Sequence, residues 1–300
     1  MFKKLGLLMK GMHKIVIKVG SSTLTQGTQT LSRRYMLGLV QQIAHLKSQG
    51  LQLVLVSSGA IATGRELLNS AKETQSSPSK QAFASIGQVK LMQTWLELFS
   101  LLDLQVGQVL LTKDDFSRSK CDLTRKTFTD LLQHIIPIVN ENDTIATQET
   151  RIGDNDNLAA LVANLIEADT IILLTDQEGL YTADPRFNPD AKLIPIVKYI
   201  DETIFALATG SSTSVGTGGM VTKIEAAQIA SRAGIRTIIA SSTFPNVLID
   251  LVEGKQIGTL FLEESTTSKS EKILTAFMER SRNQSLNEYN FSITQGGKTE

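Results

Sequence analysis

Short runs of β-branched and other apolar residues alternate along the chain with longer segments of helical periodicity. This pattern predicts strands at 14–19, 52–57, 105–111, 135–140, 170–175, 235–240 and 258–262. Helices are expected between them, at roughly 32–49, 60–69, 81–102, 123–134, 156–168, 220–233 and 245–253. Such alternation is typical of βαβ units around a buried, mainly parallel sheet. We therefore expect one doubly wound α/β domain.

Three segments fall outside this alternation. Residues 70–80, SAKETQSSPSK, are polar and interrupted by proline, which is typical of a surface loop. The apolar piece near the amino terminus is too short for a signal-peptide core, and no later run approaches a membrane span. One further helix is predicted at 269–282, ahead of a polar tail. We expect one domain at 12–264 and a carboxyl-terminal extension at 265–300, which is too short for another domain.

Composition narrows the class of protein. Of the 300 residues, 41% are hydrophobic and 20% charged, as in soluble globular proteins. Thirty basic residues balance thirty acidic ones, which argues against a general nucleic-acid or membrane-surface binder. Cys121 is the sole cysteine, so an internal disulfide is excluded and a cytoplasmic location is expected. The scattered His13, His45 and His134 predict neither a zinc site nor a histidine-based triad.

Polar and glycine-rich residues follow several predicted strands, at the edge where parallel sheets bind ligands. Lys18 lies inside the apolar first strand, where a buried lysine is unfavourable unless an anion is close. The alternative is a lysine that reaches solvent at a strand end. Ser58 and Gly59 follow the second strand and precede a helix. They predict either a backbone cradle for a carboxylate or phosphate, or an ordinary serine-capped helix.

A dense run of asparagines and acidic residues spans 140–157, around a predicted hairpin and the start of a helix. A solvated acidic loop is one interpretation of this run. The other is a set of rigid amides and carboxylates presented to a ligand, since Asn and Asp cap helices at such junctions. The next strand ends in TDQEGLYTADP, a loop punctuated by glycine and proline that suits a nucleotide base and ribose.

A glycine-rich stretch, GTGGMVTK at 216–223, precedes a predicted helix. Glycine loses conformational entropy on folding, which is tolerated where the chain turns sharply or lies close to a ligand. A helix amino terminus attracts anions and Lys223 adds a positive charge, so this stretch predicts a phosphate site; a flexible loop with an ordinary cap is the alternative.

Phosphate cradles, two lysines and several carboxylates together favour phosphoryl transfer, in which positioning and charge neutralisation do most of the catalysis. The sequence has neither the GxxxxGK[ST] loop nor the HRD and DFG motifs, so P-loop enzymes and protein kinases are poor matches.

Seven motifs follow one another between residue 14 and residue 262. They are KIVIKVGSSTLT, VLVSSGAIATGRELL, ASIGQVKLMQTWLELF, PIVNENDTIAT, RIGDNDNLAALVA, LLTDQEGLYTADPRFNP and GTGGMVTKIEAAQIASRAGI. Together they resemble the glutamate 5-kinases of the amino-acid kinase family. The resemblance implies a three-layer αβα sandwich around a mainly parallel sheet. It also implies transfer of the γ-phosphoryl group of ATP to the side-chain carboxylate of L-glutamate, with Mg²⁺, as the first step of proline synthesis.

The same resemblance assigns roles to individual residues. Lys18 and Lys223 resemble the pair that neutralises charge on the moving phosphoryl group, and Asp156 resembles the carboxylate that holds both lysines. The implied glutamate contacts are Ser58, Gly59, Asp143 and Asn155. The implied ATP contacts are Lys18, Thr175, Asp176, Thr217, Gly218, Gly219, Met220, Val221, Thr222 and Lys223. No protein ligand for a metal is assigned, since Mg²⁺ is expected to be held mostly by the phosphates.

The sequence departs from the family pattern at its end. Many glutamate 5-kinases continue into a carboxyl-terminal PUA domain, of a type also found in RNA-modifying enzymes, and residues 265–300 are too short for one. The expected partners are L-glutamate and ATP, with proline as a feedback inhibitor and a homo-oligomer, a dimer or tetramer, as the assembly. Neither a nucleic acid nor a membrane is expected as a partner.

Two other functions stay open at this point. One is a sister kinase that acts on N-acetylglutamate, aspartate, carbamate or UMP. Asp143 argues against the acetylated substrate, since a carboxylate suits a free α-ammonium group and would be unpaired beside an acetyl group. The other is an inactive homologue that binds an amino acid or nucleotide as a sensor. The joint presence of Lys18, Asp156 and Lys223 argues against it.

Overall fold

The computed structural model describes residues 12–69, 79–209 and 219–264. Its strands are β1 (Lys14–Val19), β2 (Gln52–Ser57), β3 (Val106–Leu111), β4 (Ile136–Glu141), β5 (Thr170–Thr175), β6 (Ile196–Val197), β7 (Arg236–Ser241) and β8 (Thr259–Phe261). Its α-helices are α1 (Ser21–Thr25), α2 (Arg33–Ser48), α3 (Ala60–Asn69), α4 (Lys80–Ser100), α5 (Cys121–His134), α6 (Asn155–Leu165), α7 (Glu202–Thr209), α8 (Met220–Arg232) and α9 (Val247–Val252). A 3₁₀ turn lies at Lys113–Phe116.

The strands form one sheet in the order β3-β4-β2-β1-β5-β7-β8-β6. Every neighbouring pair is parallel except β7 and β8, which are antiparallel. Strand β1 lies in the middle, with β2, β4 and β3 on one side and β5 and β7 on the other. The sheet therefore extends in both directions from β1, and ligands of such sheets bind beyond the carboxyl ends of the strands at this switch point.

Both faces of the sheet are apolar and covered by helices. Along β1, Val16 belongs to a core cluster with residues of α5, α6 and α8, whereas Ile15 and Ile17 belong to a second cluster with residues of α2, α4 and α9. This alternation follows from the two-residue period of strand side chains. The result is a three-layer αβα sandwich around a mainly parallel sheet, which confirms the predicted fold.

The predicted elements agree closely with the observed ones. The strands predicted at 14–19, 52–57 and 170–175 have the observed bounds, and the other four differ by one residue at one or both ends. The pattern missed α1, α7 and β6, which are too short for a clear periodicity. The polar loop predicted at 70–80 lies outside the described residues except at its end, where Ser79 Oγ accepts a hydrogen bond from the backbone N–H of Ala82 and caps α4.

The predicted hairpin within 140–157 is wrong. Residues 142–154 form turns and irregular backbone between β4 and α6 rather than two paired strands. Buried Glu141 accounts for this conformation, because its Oε1 accepts a hydrogen bond from the backbone N–H of Ile152 at 2.5 Å. This contact holds the segment against the end of β4.

Helices α3 and α4 approach each other closely at two glycines. A Cβ atom on Gly64 would lie 1.9 Å from the carbonyl oxygen of Phe83, and one on Gly87 would lie 1.8 Å from that of Ala60. Any larger residue would push the helices apart, so these glycines set the position of α4 against α3. Within the described ranges, no helix is both long and apolar enough to cross a membrane.

Candidate active site

An ion-pair triad lies where β1 meets the amino-terminal ends of α6 and α8. Asp156 Oδ1 is 2.6 Å from Lys18 Nζ, and Asp156 Oδ2 is 3.1 Å from Lys223 Nζ. The exposed fraction is 0% for Asp156, 6% for Lys18 and 5% for Lys223. One carboxylate thus faces two ammonium groups, so the triad carries a net positive charge in a buried place. Such a charge favours the binding of an anion.

The side-chain alternation of β1 directs Lys18 to this position. Lys18 follows Val16 by two residues and therefore points to the same face, towards α6 and α8. Its neighbours on the adjacent strands are Val56 and Leu173, which belong to the core cluster of that face. The methylene stem of Lys18 is consequently packed in apolar surroundings while its ammonium group reaches Asp156.

Helix α6 presents Asp156 through an amino-terminal cap. Asp154 Oδ1 accepts hydrogen bonds from the backbone N–H groups of Asp156 and Asn157, at 2.8 and 2.9 Å, and Asp154 Oδ2 accepts from Asn157 Nδ2 at 2.8 Å. Asp156 thus lies in the first turn of the helix, where the helix dipole favours a negative charge. Burial, assisted by the charge of Asp156, raises the pKa of Asp154 to about 6.

The charges of the triad shift each other's protonation. Burial by itself would raise the pKa of Asp156, but the two lysines outweigh it and hold this pKa well below its usual range. Thr222 adds a hydrogen bond from its Oγ1 to Asp156 Oδ2 at 2.9 Å. Burial lowers the pKa of Lys223, while Asp156 opposes that change. The carboxylate is therefore ionised throughout the physiological pH range.

The residues predicted to contact ATP lie on the β5 side of the triad. Thr175 ends β5, and its Oγ1 donates to Asp176 Oδ1 at 3.0 Å. Helix α8 begins after Gly219, which caps it without a side chain. The first backbone N–H groups of α8 are thus available to an anion. Met220, Val221, Thr222 and Lys223 form the first turn of α8, whereas Thr217 and Gly218 lie outside the described residues.

Polar side chains on the β2 and β4 side of the triad form a hydrogen-bonded network. Asn155 Nδ2 donates to Ser58 Oγ and to Asn140 Oδ1, both at 2.8 Å. Asn140 Nδ2 donates in turn to Gln88 Oε1 of α4 at 2.9 Å. Gly59 turns the chain from β2 into α3 with a φ of +112°, a conformation that favours glycine. The ends of two strands and two helices are thereby tied together.

Asp143 lines an open cleft between the first turns of α3 and α4 and the segment that follows β4. The residues that line the cleft are Ile61, Lys80, Gln81, Asp143, Ala146 and Arg151. Burial raises the pKa of Asp143, and the charge of Arg151 opposes that change. A carboxylate with two cationic side chains in one cleft matches a ligand that carries both charges, such as an amino acid.

The structure thus places the predicted site residues in separate groups. Lys18, Asp156 and Lys223 form one cluster, and Ser58 and Asn155 contact each other directly. Asp143 contributes to the cleft rather than to either group. Their roles in binding and catalysis stay predictions.

Sequence reasoning gave no role to Asn140, Asp154, Arg151, Lys80 and Gln88. Asn140 and Asp154 lie in the run of asparagines and acidic residues at 140–157, so their residue types could have indicated a role in the site. Gln88 had no such signal, because a glutamine inside a long helix is typically a surface residue.

The chain is similar in sequence and in fold to known kinases. Residues 13–241 match the profile of the Amino acid kinase family. The chain is 50% identical over 250 residues to the glutamate 5-kinase of Haemophilus influenzae (strain PittEE), which covers 83% of this chain and 68% of that protein. It is 50% identical over 260 residues to the glutamate 5-kinase of Pasteurella multocida (strain Pm70), covering 86% and 71%.

Among solved structures, carbamate kinase from Giardia lamblia bound to AMP-PNP is similar with a TM-score of 0.62 at 17% identity. The match covers 85% of this chain and 100% of that one. At this identity the likeness concerns the fold.

Proposed function

The chain belongs to the amino acid kinase family, and we propose that within it the protein acts as a glutamate 5-kinase. It transfers the γ-phosphoryl group of ATP to the side-chain carboxylate of L-glutamate and releases ADP and L-glutamyl 5-phosphate. The observation that carries this proposal is the buried triad of Lys18, Asp156 and Lys223, whose net positive charge lies at the carboxyl edge of the sheet. The glutamate 5-kinases at 50% identity support the choice of substrate.

The reaction requires no general base. A glutamate side chain has a pKa near about 4.3 and is already ionised at neutral pH. One of its oxygens forms a bond to the γ-phosphorus while the bond from that phosphorus to the β,γ-bridging oxygen breaks. The difficulty is the approach of an anion to a polyanion, which cations and oriented N–H donors relieve. Lys18 and Lys223 supply the cations, and Asp156 pairs with both and fixes their positions.

The arrangement of polar groups suits two ligands that meet at the triad. Thr175, Asp176 and the start of α8 lie on the β5 and β7 side, where ATP would bind. Ser58 and Asn155 lie on the β2 and β4 side, where glutamate would bind. The triad lies between the two groups and can contact the transferred phosphoryl group from both sides.

Mg²⁺ would enter this site with ATP and neutralise part of the phosphate charge. The two oxygens of Asp156 each contact a lysine, and those of Asp154 accept hydrogen bonds from α6. In the part of the chain that the structure describes, no group of three His, Cys, Asp or Glu side chains is arranged to hold a metal. Since the oxygens of both carboxylates already have partners, we expect Mg²⁺ to be held chiefly by phosphates and water.

Several expectations stay predictions from the resemblance. These are feedback inhibition by proline, a dimer or tetramer and a cytoplasmic location. The predicted helix at 269–282 and the extension at 265–300 lie outside the described residues.

The test of the proposed function is ADP release by the purified protein with ATP, Mg²⁺ and L-glutamate. The acyl phosphate product is trapped with hydroxylamine as a hydroxamate. N-acetylglutamate, aspartate, carbamate and UMP serve as competing acceptors. We expect the highest kcat/KM with L-glutamate; a higher value with any other acceptor, or no glutamate-dependent ADP release, contradicts the proposal.

A further inference from the structure

A backbone donor and Gln88 together hold the amide of Asn140 in one orientation. The N–H group of Glu141 donates to Asn140 Oδ1 at 2.9 Å. A backbone N–H can only donate, so the Asn140 amide presents its oxygen to this N–H for as long as the side chain stays in this place. The Nδ2 end then faces α4, where it donates to Gln88 Oε1 at 2.9 Å.

This orientation of Asn140 decides the orientation of Asn155. Since Asn140 Oδ1 can only accept, Asn155 must present its Nδ2, which lies 2.8 Å away. The second proton of Asn155 Nδ2 goes to Ser58 Oγ at 2.8 Å. Both amide protons of Asn155 are then in use. Within the described residues, neither Asn155 Oδ1 nor the hydroxyl proton of Ser58 has a partner.

Gln88 is held in place by its surroundings. Its neighbour Gly87 lies against the carbonyl oxygen of Ala60, which sets the position of this turn of α4. The donor end of its amide, Nε2, lies 3.4 Å from Gln108 Oε1 of β3. The acceptor end is therefore directed inward, to Asn140.

We propose that Gln88 is a positioning residue for substrate specificity. By anchoring Asn140 it keeps Asn155 Oδ1 free to accept a hydrogen bond from a ligand, next to the Ser58 hydroxyl, which is free to donate one. An acceptor suits the α-ammonium group of an amino acid and a donor suits its α-carboxylate. This acceptor and this donor together distinguish glutamate from glutarate, the dicarboxylic acid with the same carbon chain but no ammonium group. This inference rests on the proposed glutamate 5-kinase activity.

The experiment compares the KM for L-glutamate with the inhibition constant of glutarate. In Gln88→Met, Asn140 Nδ2 loses its acceptor, so the Asn140 side chain can leave its place beside the Glu141 N–H, and Asn155 can then turn. We expect the glutamate KM to rise about tenfold, the effect of one charge-assisted hydrogen bond. The glutarate constant should change by less than about threefold, because glutarate has no ammonium group to lose a contact. The KM for ATP should stay unchanged.

Three further variants complete the design. Gln88→Glu keeps an acceptor opposite Asn140 Nδ2 and should preserve the preference for glutamate. Gln108→Met removes only the outermost contact and is the matched control, with both constants as in the wild type. Gln88→Ser cannot reach Asn140 and should behave like Gln88→Met, which provides a second variant if the latter does not fold.

Two results overturn the inference. The first is a wild-type ratio of the two constants in Gln88→Met or Gln88→Ser, with a melting temperature near that of the wild type. The second is an equal weakening of glutamate and glutarate, which indicates general loosening. Failure of the proposed function is distinct, since the wild-type protein would then release no ADP with glutamate.

Discussion

At the scale of single residues, two positive charges of the triad share one negative charge. Loss of a lysine and loss of the carboxylate should therefore affect catalysis and stability differently. In Lys223→Met, Asp156 keeps its ion pair with Lys18, so neither of the two remaining charges of the triad is left unpaired. We expect this variant to fold and kcat to fall roughly 10²–10³-fold, since an oriented cation acts chiefly in the transition state. Steady-state ADP release measures the loss, with circular dichroism to check the fold. A loss below about threefold would remove Lys223 from the mechanism.

Asp156→Asn should lower the stability of the fold more than Lys223→Met does. Two buried ammonium groups then lose the carboxylate that pairs with both of them, and breaking a buried ion pair in this way typically lowers the free energy of unfolding by about 3–5 kcal/mol. Urea unfolding followed by fluorescence measures this difference against Lys223→Met. Equal midpoints for the two variants would show that the carboxylate does not hold the lysines.

Asp143 should affect one substrate and leave the other unchanged. If its carboxylate pairs with the α-ammonium of glutamate, Asp143→Asn loses about 2–5 kcal/mol of binding, and the glutamate KM rises tenfold or more. The KM for ATP should stay within twofold, and the wild type should reject N-acetylglutamate. Asp122→Asn, at a site that is 88% exposed, is the control. An unchanged glutamate KM, or efficient use of N-acetylglutamate, contradicts the assignment.

At the scale of elements, the cap of α6 predicts how stability depends on pH. The folded pKa of Asp154, about 6, lies above the ordinary value of 3.8. The folded protein therefore binds this proton more tightly than the unfolded chain does. Its contribution to stability is complete below the unfolded pKa and is lost as pH rises through the folded one. The loss amounts to at most about 3 kcal/mol.

Asp154→Asn removes this titration and keeps the cap, because asparagine and aspartate cap helices equally well. Between pH 4.5 and 7.5 the variant should gain stability relative to the wild type. Urea midpoints across this range measure the difference. Asp156 does not interfere, since its lowered pKa confines its contribution to more acidic conditions. Parallel curves for the two proteins would rule out the raised pKa.

At the scale of the whole molecule, the triad connects the two halves of the sheet that extend from β1. The positive charge of the triad exceeds its negative charge in the ligand-free protein, so a bound polyphosphate should stabilise the fold. We expect a non-hydrolysable ATP analogue with Mg²⁺ to raise the free energy of unfolding by about 2.7 kcal/mol at a hundred times its Kd. Differential scanning calorimetry measures this, and Lys223→Met should respond less at the same concentration. No shift in wild type at high analogue concentration would contradict the site.

Much of the fold could be predicted because its signals are local. The strand of Lys18 and the strand ending at Thr175 are marked by apolar runs, and the start of α8 is marked by glycines. Neighbours in sequence determine these features through side-chain period and backbone freedom. Lys18 and Lys223 were likewise found from their types at strand and helix ends, whereas the role of Asp156 was implied by the resemblance to the family.

Contacts between distant residues were decided only by the tertiary structure. The meeting of Lys18 with Asp156 depends on the register of β1 between β2 and β5, and no local pattern reports it. The hairpin prediction failed for the same reason, since the turns form but the bond from Ile152 to Glu141 holds this segment against the end of β4 without paired strands. Gln88 gains its importance solely from the partner that packing gives it. Local propensity chooses helix or strand, but a polar group's chemistry depends on which partner the folded chain places beside it.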